Sequence, residues 1–202
     1  MANANRPSGF SPVSYLNGSP WNGQARLYSI AAAYATALYV GDPVKSSGTS
    51  DARGVPGIIL GAATGPLRGV IVGIGKYEGL IANPSNLDIT YRPAAAQSTD
   101  WYAMVVDDPN VVFEIQENAG ATPLAATEVG LNQISVAGTG NGYVSGWLLA
   151  CTTDATAAVT ATLQLRLLGL ARRPFNDFGN YAKWLVQINV HELAHGTGSV
   201  GL

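Results

Sequence analysis

Residues 101–117 read WYAMVVDDPNVVFEIQE. In the second half, Val111, Phe113 and Ile115 alternate with Val112, Glu114 and Gln116. That period of two is the mark of a strand with one buried face. The first half is rich in β-branched and aromatic residues, which suit a pleated surface. Between the halves stand Asp107, Asp108, Pro109 and Asn110, residues that each favour a turn for their own backbone reason. The stretch therefore predicts two strands joined by a turn.

The same kind of segment recurs in both directions. ARLYSI (25–30), PGIILG (56–61), RGVIVGIG (68–75), DITYRP (88–93), GYVSGWLLA (142–150), ATLQLRLLGL (161–170) and AKWLVQINV (182–190) are short apolar or alternating runs set off by turn residues. In 161–170, Leu163, Leu165 and Leu167 share one face, with Gln164 and Arg166 on the other. Helix signals are weak: SIAAAYATAL (29–38) has no polar face, and TPLAATEVGL (122–131) would hold one or two turns. The expected fold is all-β, a jelly-roll or a β-barrel or sandwich-like domain with little helix. Residues 171–182, ARRPFNDFGNYA, read as a long connection before a last strand.

Residues 1–23 read differently. Pro7, Pro12 and Pro20 remove backbone donors, and NGSPWNG (17–23) carries two Asn-Gly turn signals. An extended N-terminal arm without regular structure is expected, followed by a β-rich domain over 24–202 that ends in a terminal strand and a short Gly-rich tail. The arm nevertheless holds Phe10, Tyr15, Leu16 and Trp21. These either pack on their own domain or form a partner-binding arm on a neighbouring subunit.

Composition narrows the function. Only 12% of the 202 residues are charged and the net charge is −2, against about 25% charged in ordinary soluble domains. That leaves no basic footprint for direct contact with nucleic acid, and a weakly solvated surface that partner subunits would cover. The single cysteine, Cys151, excludes an internal disulfide framework and is expected as a small buried hydrophobe. The polar start MANANRPSGF carries no secretory pattern, and no apolar stretch approaches the roughly 20 residues of a membrane helix. The expectation is synthesis in a cytoplasm and no membrane contact.

Several strings invite a chemical reading. His191-Glu192-Leu193-Ala194-His195 matches H-E-x-x-H, in which two His on one helical turn bind zinc and Glu acts as base. On a helix the two imidazoles would be about 6 Å apart; on a strand, about 13 Å, too far to share an ion. The alternation of Trp184, Val186, Ile188 and Val190 favours a strand. His191 and His195 are also the only two histidines, and a catalytic zinc takes three protein ligands. Metal and cofactor sites are therefore expected to be absent, and a zinc hydrolase is the remote alternative. Gly69, Gly73, Gly75 and Gly79 miss the dinucleotide fingerprint because Glu78 stands at its last glycine; close strand packing or a bulge accounts for them better. Asp107 and Asp108 fit a turn better than a calcium site, which needs six to eight oxygens. Arg172 and Arg173 are the one basic spot, expected in a solvated loop.

Five stretches taken in order, NRPSGFSPVSYLNGSPWNGQARLY (5–28), YVGDPVKSSG (39–48), RGVIVGIGKYEGLIANPSNL (68–87), WYAMVVDDPNVVFEIQE (101–117) and VGLNQISVAG (129–138), resemble capsid decoration or cement proteins of tailed bacteriophages. The likeness spans Asn5 to Gly169 and rests on the ordered set, not on one motif. It implies a β-rich, non-enzymatic virion protein on the outer surface of the capsid, made in the host cytoplasm. Its partners would be the major capsid protein and further copies of itself, as homodimer or homotrimer, and it would stabilise contacts between shell subunits. The resemblance implies no catalytic residues. A β-sandwich module binding host glycans is the alternative, which Trp21, Trp101 and Trp147 would support if exposed together on one face.

Overall fold

The computed structural model describes residues 3–76, 89–194 and 198–201. Its strands are β1 (Ser11–Tyr15), β2 (Arg26–Ile30), β3 (Leu38–Tyr39), β4 (Pro43–Ser50), β5 (Pro56–Leu60), β6 (Gly69–Gly75) and β7 (Tyr91–Arg92). Then follow β8 (Trp101–Val106), β9 (Val111–Gln116), β10 (Asn132–Gln133), β11 (Ser135–Val136), β12 (Leu148–Leu149), β13 (Leu165–Leu170) and β14 (Lys183–Ile188). The only helical element among the described residues is one 3-10 turn, Ala126–Glu128. The all-β architecture with little helix is as the sequence predicts.

Two large strand systems share the chain, beside the two-stranded pairs β3-β7 and β11-β12. β2-β5-β4-β6-β8 close a barrel, and β1-β9-β14-β13-β10 form a five-stranded sheet. The 101–117 stretch is the link, because β8 belongs to the barrel and β9 to the sheet. Alternation along the barrel strands explains how both are filled. Ile71 and Val105 point into the barrel with Tyr28, Ile30, Val44, Ile58 and Trp101. Their neighbours Val70 and Val106 point outward, onto Phe113, Leu165, Leu167, Trp184 and Val186 of the sheet. One core fills the barrel and the other lies between barrel and sheet. In β9, Val111, Phe113 and Ile115 are buried as their spacing predicts. Val112 and Gln116 are buried too, because the N-terminal segment covers that face: the Arg6 N–H donates to Gln116 Oε1 at 2.7 Å and Gln116 Nε2 donates to Asn5 at 2.9 Å.

The glycines of β6 serve strand packing. A Cβ on Gly69 would sit 2.2 Å from the Val106 carbonyl oxygen, and the pairing with β8 shifts register between Ile71 and Gly73, a bulge. Gly79 and Glu78 lie outside the described residues. Gln164, expected on the solvent face, is buried just ahead of β13. Its amide donates to the Ala62 and Gly65 carbonyls at 2.9 and 3.1 Å, and its oxygen accepts the Ser135 hydroxyl at 2.5 Å. It ties the sheet to a barrel loop.

The N-terminal stretch is not a free arm. Residues 11–15 form β1, an edge strand antiparallel to β9, with an irregularity between Pro12 and Ser14. Edge position and irregular register are both places where a strand tolerates proline. Ahead of it, Gly9 has φ 65° and passes so close to Gly41 and Ser145 that a Cβ would lie 2.4 Å from both. The next N–H, of Phe10, donates to the Gly41 carbonyl at 2.9 Å. Phe10 is 1% exposed and packs edge-on against Phe113 with ring centroids 6.1 Å apart.

Candidate interaction surface

The residues proposed for a partner-binding arm thus divide. Phe10 is core, and Tyr15 and Trp21 pack on the same core. Only Leu16, 46% exposed, faces outward. With Phe10 buried, Tyr15 and Trp21 half-buried against the same core and 11–15 paired to β9, the segment is part of the β-rich domain and not an arm that ends at residue 23.

The H-E-x-x-H string also takes a structural role. β14 ends at Ile188, and the chain bends rather than continuing as a strand. Residues 190–192 then lie along Leu67: the Leu67 N–H donates to Val190, and the Glu192 N–H donates to Leu67, at 3.0 and 2.9 Å. His191 makes an isolated parallel bridge there, and 192–194 turn. His191 is 1% exposed. Its Nδ1 accepts the Leu193 N–H at 3.0 Å. Burial lowers its pKa to about 4, against the opposing pull of Asp107, so the ring is neutral at pH 7. Glu192 accepts the Ser46 N–H at 3.0 Å and the Ser46 hydroxyl at 2.5 Å, with Arg68 at 3.7 Å. Its carboxylate fastens the end of the chain to the barrel. His195 lies outside the described residues, and among those described no cluster of three His, Cys, Asp or Glu is placed to hold a metal.

The turn between β8 and β9 joins this network. Asp107, buried, accepts the Tyr28 hydroxyl at 2.6 Å and pairs with Arg26 at 3.4 Å. Arg68 Nε donates to the same Tyr28 oxygen at 2.9 Å. A continuous polar path therefore runs Asp107–Tyr28–Arg68–Glu192–Ser46 across the junction of barrel and sheet. Asp108 Oδ1 accepts the Asn110 N–H at 2.8 Å, a side-chain-closed turn. Cys151 is fully buried, as its neighbours in sequence predict.

The most unusual surface is the connection between β13 and β14. It presents Phe175, 68% exposed, and Phe178, 46% exposed. Phe175 and Tyr181 have φ of 62° and 65°, left-handed backbone that costs a bulky residue about 1–2 kcal/mol. Two asparagines hold the loop in this form. Asn176 is buried; its amide donates to the Ala171 and Lys183 carbonyls at 2.7 and 2.9 Å, and its oxygen accepts the Lys183 N–H at 2.8 Å. From the N-terminal segment, Asn3 donates to the Asp177 and Asn180 carbonyls at 2.8 and 3.1 Å and accepts the Asp177 N–H at 3.1 Å. Phe178 is braced at 5.5 Å on the buried Trp184 ring. Between the loop and residues 3–6 lies a cleft of about 320 Å³. A pinned, strained and apolar loop was not legible in ARRPFNDFGNYA, because left-handed backbone at Phe and Tyr follows no propensity. Arg172 and Arg173, expected in a solvated loop, are its exposed beginning.

The tryptophans form no exposed platform. Trp101 and Trp147 are each 2% exposed and Trp184 is fully buried, while Trp21 is half-buried and donates its indole N–H to Gln24 at 3.3 Å. No helix among the described residues is long and apolar enough to cross a membrane. Comparisons with protein-family models, curated proteins and solved structures found no match to the chain.

Proposed function

We propose that this protein is a non-enzymatic structural component of a tailed-phage virion, bound to the outside of the capsid shell, where it stabilises contacts between major capsid protein subunits. The observation that carries the reading is the 171–182 loop. A fold that holds strained backbone in place with six side-chain hydrogen bonds, and spends it on exposed phenylalanines, is shaped for a partner. Sparse charge over the whole chain and the likeness to decoration proteins point the same way. A protein that binds the assembled shell and not its separate subunits stabilises the shell by mass action. Further copies, as a dimer or trimer at the shell's symmetry positions, would multiply that effect.

The glycan-binding alternative rests on Trp21, Trp101 and Trp147 exposed together on one face, and Trp101 and Trp147 are buried. Electron microscopy of purified particles tests the proposal. Density for this protein repeating at capsid symmetry positions is the expected result; sparse projections, or attachment only at the tail, would refute it.

A further inference from the structure

The cleft beneath the aromatic loop brings together charge, strain and exposure. Arg6, Arg173 and Lys183 line it, three of the eleven Lys and Arg residues of a chain whose net charge is −2. Arg172 stands beside them in sequence. Glu114 pairs with Arg173 at 2.8 Å, but among the described residues neither Arg6 nor Lys183 forms an ion pair. Lys183 is partly withdrawn from water, which lowers its pKa, and its ammonium donates to the Arg6 carbonyl at 2.9 Å. Glu114 also acts on Lys183 electrostatically, so one carboxylate faces three cations, and the positive excess gains from an arriving anion. Both strained residues, Phe175 and Tyr181, line the same cleft with Pro174. A free inorganic anion would use the cations alone. The apolar wall beside them calls for a ligand that carries both carboxylates and an apolar group.

We infer that this cleft docks an extended acidic segment of a partner protein, with its carboxylates on Arg6 and Lys183 and an apolar side chain against Phe175. That the partner is the shell protein rests on the capsid reading above; the chemistry of the cleft does not.

The test has two arms. In the first, a capped Glu-Glu-Phe-Glu-Glu peptide is titrated into the full-length protein at low ionic strength and followed by amide chemical shifts. Shifts confined to residues 3–6 and 173–183 are expected, weakening as salt screens the charges. Arg6→Glu and Phe175→Asn should each weaken binding by about tenfold or more. Both variants should keep the fold: Arg6 is bonded through its backbone, and Asn tolerates left-handed φ. No binding, binding elsewhere, an equal response to a Lys-Lys-Phe-Lys-Lys peptide, or full reproduction of the shifts by inorganic phosphate would each overturn the inference. In the second arm, wild type and variants are cosedimented with expanded shells lacking this protein. Attachment of wild type, with loss in both variants, is expected. If all three attach equally, the cleft inference fails and the capsid reading stands. If none attaches while the peptide still maps to the cleft, the capsid reading fails and the cleft inference stands.

Discussion

Raising the pH from 5 to 7.5 should destabilise this protein, and three buried groups set the amount. Glu117 is fully buried beside Trp184. It accepts the Leu124 N–H at 2.6 Å and the Trp184 indole N–H at 2.9 Å, yet burial outweighs these bonds and raises its pKa from 4.5 to about 7. Burial likewise raises Asp42 from 3.8 to about 6. Both carboxyls bind a proton more tightly folded than unfolded. Their stabilising contribution is complete below the unfolded pKa and fades as pH climbs through the folded one. His191 has the opposite sign. Its pKa falls from 6.5 to about 4, so its contribution is complete above pH 6.5 and fades as pH drops toward 4. Between pH 5 and 7.5, Glu117 loses about two pH units of linkage and Asp42 about one, while His191 regains about one and a half. At about 1.4 kcal/mol per unit, the net loss is about 2 kcal/mol. Urea unfolding at pH 5.0, 6.0 and 7.5 measures it. In the double variant Glu117→Gln, Asp42→Asn, only His191 remains, so stability should rise by about 2 kcal/mol over the same range, whatever the overall cost of the substitutions. Wild-type stability that rises between pH 5 and 7.5, or a double variant whose slope keeps the wild-type sign, would refute the reasoning.

Other outcomes follow from the same geometry. Phe10→Ala should cost about 3–5 kcal/mol in denaturant melts, the usual loss for a fully buried phenylalanine; deletion of residues 1–23, which also removes β1, should leave a chain without a cooperative unfolding transition. Glu192→Ala should cost about 1–3 kcal/mol through the bonds to Ser46 and Arg68, while added zinc leaves the wild-type melting temperature unchanged; a zinc-dependent rise lost on His191→Ala would reinstate the metal reading. Phe175→Gly should leave stability within about 1 kcal/mol of wild type, because relief of left-handed strain offsets the loss of partly buried ring area and the extra freedom of unfolded glycine. A calorimetric shift beyond about 4 °C would show that the offset fails.

The sequence was most informative where one physical rule acted alone. Alternation placed β9 and β14, because their inward residues are apolar and nothing competes with the period of two. The turn at 107–110 was legible for the same reason. Long-range packing decided the rest. Pro12 argued against a strand, and only the edge position beside β9 makes β1 possible. Gln164 read as solvent-facing because its partners Ala62 and Gly65 lie about a hundred residues away in sequence. The histidine string reads as the end of a continuous strand, but the chain bends after Ile188 and pairs with Leu67, which no local pattern announces. The aromatic loop was missed altogether, since Asn3 and Asn176, which hold it, look like ordinary loop residues.

The order of the sheet has a consequence for how the protein is made. β14 lies between β9 and β13 but follows both in the chain, so the sheet has no middle until β14 is made. At roughly 5–20 residues per second, a ribosome takes about 4–14 s to pass from the end of β9 to the end of β14. During that time β1 and β9 can pair, but β9 offers an open edge, and Val111, Phe113 and Ile115 lack the apolar cover that Trp184 and Val186 later supply. The nascent chain is most prone to aggregate in the interval before β14 is made.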